Sequence, residues 1–330
     1  MRVVSLGVHI LDVLGAPVSP LPEGGSRYLV DEVRVTAAGT AAGTSVDLAK
    51  LGVEVEAMGA IGADDLGDLL VARLRRHGVD TTRLSRKSVG TSATILPIDG
   101  EGERFATFHR RGASPHLVRA DVDFESIASA DLLHIGGPDA LGDFAGAPLV
   151  EVLRHAREHG VPTTMDVLSH VDAGVLSRFV DALPFVDFFF PNQHQVAAMT
   201  GEDDPLRGAR QLLSHGPGCL VVTQGAEGSL IVTKDDAIEL PALEVRMVDT
   251  TGCGDAYTAG FIVGSLRGWS LRSRGAFGAA CAALVGGGLG SDAGIVDLDD
   301  TLSFLARMAP GADPRSEDSF APVRGGHPHG

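Results

Sequence analysis

Lysine is scarce: Lys50, Lys87 and Lys234 are the only three among 27 basic residues. None follows a glycine, so the Gly-Lys-Ser/Thr ending of a P-loop has no candidate and Walker-type phosphate binding is excluded. Cysteine is equally rare. Cys219, Cys253 and Cys281 are odd in number and widely spaced, which excludes a disulfide framework and a zinc ribbon and fits a reducing cytoplasm. An excess of positive charge is missing too, since the formal charge is −16. Such a surface repels a nucleic-acid backbone and an anionic membrane, so neither is an expected partner. The longest uncharged stretch, Gly275 to Ser291, has 17 residues and is broken by glycines, short of the roughly 20 apolar residues of a membrane helix. It reads as a buried helix running into a glycine loop. The apolar N-terminus meets His9 and Asp12 with no small-residue cleavage signature behind it, so no signal peptide is expected.

What is present is the material of a folded domain: 330 residues, 44% hydrophobic and 21% charged, without internal repeats. Short β-branched runs (Val3–Leu6, Val55–Ala60, Leu132–Ile135, Thr163–Asp166, Asp187–Phe190, Leu220–Thr223) alternate with helical patterns (Ala42–Leu51, Asp65–Arg76, Ala147–His159, Gln193–Met199, Leu206–Ser214, Asp255–Leu266). Alternation of this kind forces crossover connections, and the fold class expected is α/β, a doubly wound and mostly parallel sheet flanked by helices. Gly52, Gly78, Gly160 and Gly268 stand where left-handed helix caps belong. Two segments, about 13–36 and 91–111, break the rhythm with prolines, glycines and an Asp99–Gly100 turn, and are expected to form a small β-lid. One domain over 1–309 and a mobile Pro/Gly/Ser-rich tail over 310–330 complete the organisation.

The sharpest local feature is Asp249-Thr250-Thr251-Gly252-Cys253-Gly254-Asp255, which opens a helical pattern. Two glycines among small residues let backbone N–H groups converge at a helix N-terminus, where the partial positive charge favours a phosphate. A carboxylate beside that loop can accept a proton from a hydroxyl attacking the phosphate; otherwise Asp255 is a turn residue. Cys253 in the loop is either a small residue that fits or a thiol activated by the helix end. A dinucleotide fingerprint is absent because position 257 is Tyr. His155-Ala156-Arg157-Glu158-His159 matches an inverted zinc-protease pattern, but Leu149, Val152, Leu153 and Ala156 form the apolar face of that helix and leave both histidines on the wet side. Trp269 and Phe188–Phe190 read as core.

The Asp249–Asp255 segment resembles the C-terminal signature of the ribokinase-like (PfkB) carbohydrate kinases, with Cys253 in place of the usual Ala. The resemblance extends over about residues 1 to 300. Strand Val3–Leu6 with Gly7 and Asp12 is similar to the family's opening strand and its sugar-binding Asp, and Ala38 to Gly52 is similar to its glycine-rich helix segment. There Ala38 replaces the first Gly, and Gly43 replaces the Asn that would bind the sugar. Ile61–Gly67 resembles a structural Gly-x-Asp-x-x-Gly turn. Asn192-Gln193-His194-Gln195 is similar to the Asn-x-x-Glu motif, with Gln195 where Glu is expected, and Thr223-Gln224-Gly225-Ala226-Glu227-Gly228 to the turn bordering the nucleotide.

What the resemblance implies is an ATP-dependent kinase that phosphorylates a hydroxyl of a small carbohydrate. Asp255 would be the base, with Gly252, Cys253 and Gly254 as the anion hole. Asp12, Gly39, Thr40, Gly43 and Arg110 would hold the acceptor. Asn192, Thr223, Gly225, Gly228, Thr251, Gly252 and Gly254 would hold the nucleotide. Magnesium would be organised by Asn192 through water, and a monovalent cation such as potassium would sit near Asp249. A homodimer through the lid is expected. A nucleoside acceptor, clamped by Tyr28, Phe105 or Phe108, and a non-catalytic sugar or nucleotide sensor stay open as alternatives.

Overall fold

The computed structural model describes residues 1–18, 29–100, 106–168, 174–310 and 312. The expected tail lies outside them except for residues 310 and 312, and so do 19–28 and 101–105 of the two lid segments. The described strands are β1 (Arg2–Gly7), β2 (Ile10–Ala16), β3 (Glu32–Ala38), β4 (Glu54–Gly62), β5 (Asp80–Lys87), β6 (Ala93–Pro97), β7 (Phe108–Arg110), β8 (Leu132–Gly136), β9 (Thr163–Asp166), β10 (Phe188–Phe190), β11 (Cys219–Thr223), β12 (Ser229–Val232) and β13 (Ala237–Leu240). The described α-helices are α1 (Thr40–Lys50), α2 (Asp65–Arg76), α3 (Phe124–Ala128), α4 (Ala147–Glu158), α5 (Leu176–Phe179), α6 (Gln193–Thr200), α7 (Pro205–Leu213), α8 (Cys253–Leu266), α9 (Leu271–Gly286) and α10 (Leu298–Met308).

Nine strands form one sheet in the order β13-β12-β11-β10-β9-β8-β1-β4-β5, parallel except for β12 and β13. Its central strands are buried on both faces, which is why they read as unbroken apolar runs. Alternate residues feed two cores: Val3 packs with Val46 of α1, Leu70 of α2, Ile262 of α8 and Phe277 of α9, whereas Val4 packs with Leu149 of α4 and Val196 of α6. The four expected caps, Gly52, Gly78, Gly160 and Gly268, all have positive φ. No helix among the described residues is long and apolar enough to cross a membrane.

The chain reverses direction across the sheet at β1, which pairs with β4 on one side and β8 on the other. In an open parallel sheet the crevice beyond the strand ends at such a switch point is where ligands bind. The start of α1 is fixed over it, Ser5 Oγ donating to the Ala41 carbonyl at 3.0 Å.

A second, smaller sheet has the order β3-β2-β6-β7 and is formed by the two segments expected to make a lid. Its β6–β7 pairing runs antiparallel from Ala93↔Arg110 to Ile95↔Phe108. That register centres the connection just past Asp99–Gly100, so this dipeptide is not a tight two-residue hairpin turn.

Candidate active site

The loop before α8 is built around a carboxylate. Asp249 is fully buried, its Oδ1 accepting from Thr251 N (2.9 Å) and Oγ1 (2.7 Å) and its Oδ2 from Gly290 N (2.9 Å). Gly252 caps α8 at φ 83°, and its Cα lies so close to Ser291 that an added Cβ would sit 2.6 Å from the Ser291 Cα. Only glycine satisfies both conditions. The first-turn amides of α8 have no intrahelical acceptor, and a Cβ on Gly254 would meet nothing within 4 Å. An anion therefore has donors and room at this loop.

Asp255 occupies the first turn of α8. Its carboxylate lies against α1 at Gly43, where an added methyl would sit 3.0 Å from Cγ and closer still to Oδ2. Gly43 is therefore the clearance that lets the carboxylate lie along α1. What faces this position is the Asp255 side chain, which a larger residue here would have to displace.

Two further carboxyls surround Asp255, and neither was singled out from the sequence. Asp47, one turn after Gly43, is fully buried with both oxygens unpartnered among the described residues. Burial holds its carboxyl well above the usual range, and the negative charges of Asp255 and Asp292 add to this against the pull of Lys50. Asp166, at the end of β9, is raised well above its ordinary value by burial and then by Asp255, with Thr258 Oγ1 3.4 Å from its Oδ2.

In the small sheet, cross-strand pairing places Thr36, Asp12, Thr94 and His109 in one row. Asp12 and Thr94 are buried, and Thr94 Oγ1 lies 3.1 Å from His109 Nδ1. Arg110 is displaced from this row by strand alternation: it pairs with Ala93 on the opposite face, its guanidinium lies against Gly90, and it does not point with Asp12. His109, not Arg110, shares the row of Asp12. Gly39 caps α1 at φ 86°, and the buried Thr40 Oγ1 has no partner among the described residues. The Nε2 atoms of His9 and His134 are likewise buried and unpartnered, and burial lowers both imidazoles to about 4, so both are neutral at pH 7.

Asn192 and Thr223 are bridged at the ends of β10 and β11. Asn192 and Gln195 form a reciprocal cap on α6, Gln195 N to Asn192 Oδ1 at 2.9 Å and Asn192 N to Gln195 Oε1 at 2.8 Å. Gln195 Nε2 also donates to the Val167 carbonyl at 3.2 Å. A glutamate here would turn a lone pair toward that carbonyl, so the amide is the side chain this setting requires. Gly225 has open space in front of it, whereas Gly228 is packed against the Leu240 carbonyl and shapes the turn.

Among the described residues no cluster of three or more His, Cys, Asp or Glu side chains is arranged to hold a metal. The Asp249 carboxylate is engaged by three protein donors, two on Oδ1 and one on Oδ2. His155 Nε2 donates to the Phe124 carbonyl and His159 Nδ1 to that of His155, so each ring is held by backbone.

The model of the pfkB family of carbohydrate kinases matches residues 2–296. The chain belongs to this family. It is an enzyme of the phosphotransferase class with an alcohol group as acceptor, an ATP-dependent sugar kinase in type. It is 28% identical to an ATP-dependent ribose-1-phosphate kinase of Halopiger xanaduensis over 87% of this chain and 92% of that one. Identity to a nucleoside kinase of Methanothermobacter thermautotrophicus is 25%, over 85% and 88% of the two chains. In fold it is similar to Arabidopsis thaliana ribokinase complexed with ribose and ATP, with a TM-score of 0.77, 23% identity and coverage of 92% and 98%. A putative ribokinase II of Escherichia coli in complex with ATP and magnesium gives a TM-score of 0.81 at 19% identity, with 93% and 99% covered.

Proposed function

We propose that this kinase transfers the γ-phosphoryl group of ATP to a hydroxyl of a small sugar, with Asp255 as general base. The observation that carries this is the placement of the Asp255 carboxylate in the first turn of α8, beside the glycine loop and in the clearance left by Gly43. When bound, ATP with magnesium on its phosphates supplies the activated phosphoryl group. Asp255 takes the proton of the acceptor hydroxyl as that oxygen attacks. The amides at Gly252, Cys253 and Gly254 hold charge that develops on the migrating group, a preorganised role that favours the transition state over the ground state. Asp12 orients the acceptor hydroxyls from above, and Thr223 and Asn192 line the nucleotide side. No step is assigned to a monovalent cation.

A sugar is favoured over a nucleoside by the position of Phe108. It pairs with Ile95 on the outer face of the lid and is 55% exposed, so it does not clamp a base; Tyr28 and Phe105 lie outside the described residues. The same outer face carries Val33 and Ile95, 65% and 59% exposed, an apolar strip suited to the lid of a second copy. The test is ADP release from magnesium-ATP across a panel of sugars, sugar acids and nucleosides. Turnover confined to nucleosides would overturn the acceptor assignment, and binding without turnover across the panel would replace the kinase by a sensor.

A further inference from the structure

Residues Gly290, Ser291 and Asp292, between α9 and α10, touch both halves of the site. Toward the phosphate side, Gly290 N donates to Asp249 Oδ2, and Ser291 forms the floor beneath Gly252. Toward the lid, Ser291 Oγ donates to the Ala37 carbonyl of β3 at 3.0 Å and lies 3.4 Å from Thr36 Oγ1, the cross-strand neighbour of Asp12. Asp292 completes the junction. Its Oδ1 accepts from Arg34 of β3 at 2.9 Å and 3.2 Å, its Oδ2 lies 3.5 Å from His77 Nε2 at the end of α2, and its carbonyl accepts from Lys50 at the end of α1. The Asp292 side chain is 6% exposed and that of Arg34 is 36% exposed.

A carboxylate this buried is unfavourable unless its partners are all in place. Burial would raise its proton affinity, but the His77 contact and the Arg34 charge outweigh it and keep the acid below its ordinary value. The junction is therefore an ion-paired block held by β3, by the ends of α1 and α2 and by the loop that holds Asp249. The Asp249 carboxylate cannot shift against Gly290, nor β3 against Ser291 and Asp292, without breaking contacts on the opposite side.

We propose that Asp292 is a positioning residue that couples the two halves of the site, so that nucleotide at the anion loop firms the lid strand and acceptor under the lid firms the anion loop. The coupling rests on the kinase assignment for the identity of the two ligands. Being a free-energy linkage, it is reciprocal, and couplings of this kind run to about 5–150-fold.

The test uses hydrogen exchange of the β2 and β3 amides with and without saturating magnesium-AMP-PNP, in the native chain, Asp292→Asn and Arg34→Met. Expected is a slowing of at least about five-fold in the native chain and of under about two-fold in both variants, with nucleotide affinity changed by less than about three-fold. Arg34→Met breaks the link from a partly exposed side chain and serves if Asp292→Asn does not fold. Magnesium-AMP-PNP binding that leaves native β2 and β3 exchange unchanged, or full protection in the variants, overturns the coupling while the kinase assignment stands. Failure of the native chain to bind magnesium-AMP-PNP overturns both.

Discussion

The carboxylate of Asp255 rests against the backbone of α1 at Gly43, a residue 212 positions earlier in the chain, with no room for a side chain between them. The first helix of the fold thus sets where the carboxylate proposed as the base stands relative to the glycine loop. Gly43→Ala should lower kcat by roughly 10²-fold, the effect of moving a reacting group by about 1 Å, while the KM for ATP changes little. Steady-state kinetics decide it, and an unchanged kcat would mean that the carboxylate reacts from another position.

We propose that His109, which shares the row of Asp12, contacts the acceptor and that Arg110 does not. His109→Ala should raise the acceptor KM about 2- to 12-fold, the equivalent of one neutral hydrogen bond of roughly 0.5–1.5 kcal/mol, with kcat nearly kept. Arg110→Ala should leave that KM unchanged. The reverse pattern would place β7 in the opposite register.

Two buried neutral histidines make the fold sensitive to acid. His9 and His134 titrate at about 4 when folded against 6.5 as ordinary imidazoles, so unfolding takes up protons below pH 6.5. Their stabilising contribution is complete above pH 6.5 and is lost as the pH falls toward 4, by up to roughly 3 kcal/mol each. Urea unfolding between pH 7 and pH 4 should show this slope, and His134→Gln should flatten it.

Asp47 has the opposite sign. Its folded carboxyl is raised, so it favours the fold only while protonated and weighs against it as the pH rises. Asp47→Asn should raise the melting temperature more at pH 8 than at pH 4. An equal change at both would show that Asp47 is not held protonated.

Gln195→Glu should destabilise the protein by roughly 1–3 kcal/mol at pH 8 and less at pH 5, because a carboxylate at that site faces the Val167 carbonyl. Denaturant unfolding at the two pH values measures it.

The sheet strands and the helices around them were legible because their signals are local: apolar runs for strands buried on two faces, 3.6-residue periodicity for α2 and α4, and glycines at the caps. The glycine loop that opens α8 was legible for the same reason, since Asp249 to Asp255 are consecutive. The acceptor side was less so. Whether His109 or Arg110 shares a face with Asp12 depends on register between β2, β6 and β7, which a one-residue slip reverses. Asp47, Asp166 and Asp292 look like surface acids in sequence, and only the packing of α1, β9 and the segment after α9 puts Asp47 and Asp166 near Asp255 and Asp292 near Asp47. Gly43 was visible as a departure from the family pattern, but its reason lay on α8.

The most direct test of the account compares kcat of the native enzyme and Asp255→Asn with the acceptor that turns over best, alongside the dissociation constant for magnesium-AMP-PNP. Loss of a general base should lower kcat by about 10²–10⁴-fold while nucleotide affinity stays within a few-fold. A variant that keeps most of its turnover would contradict the assignment of Asp255 as the base.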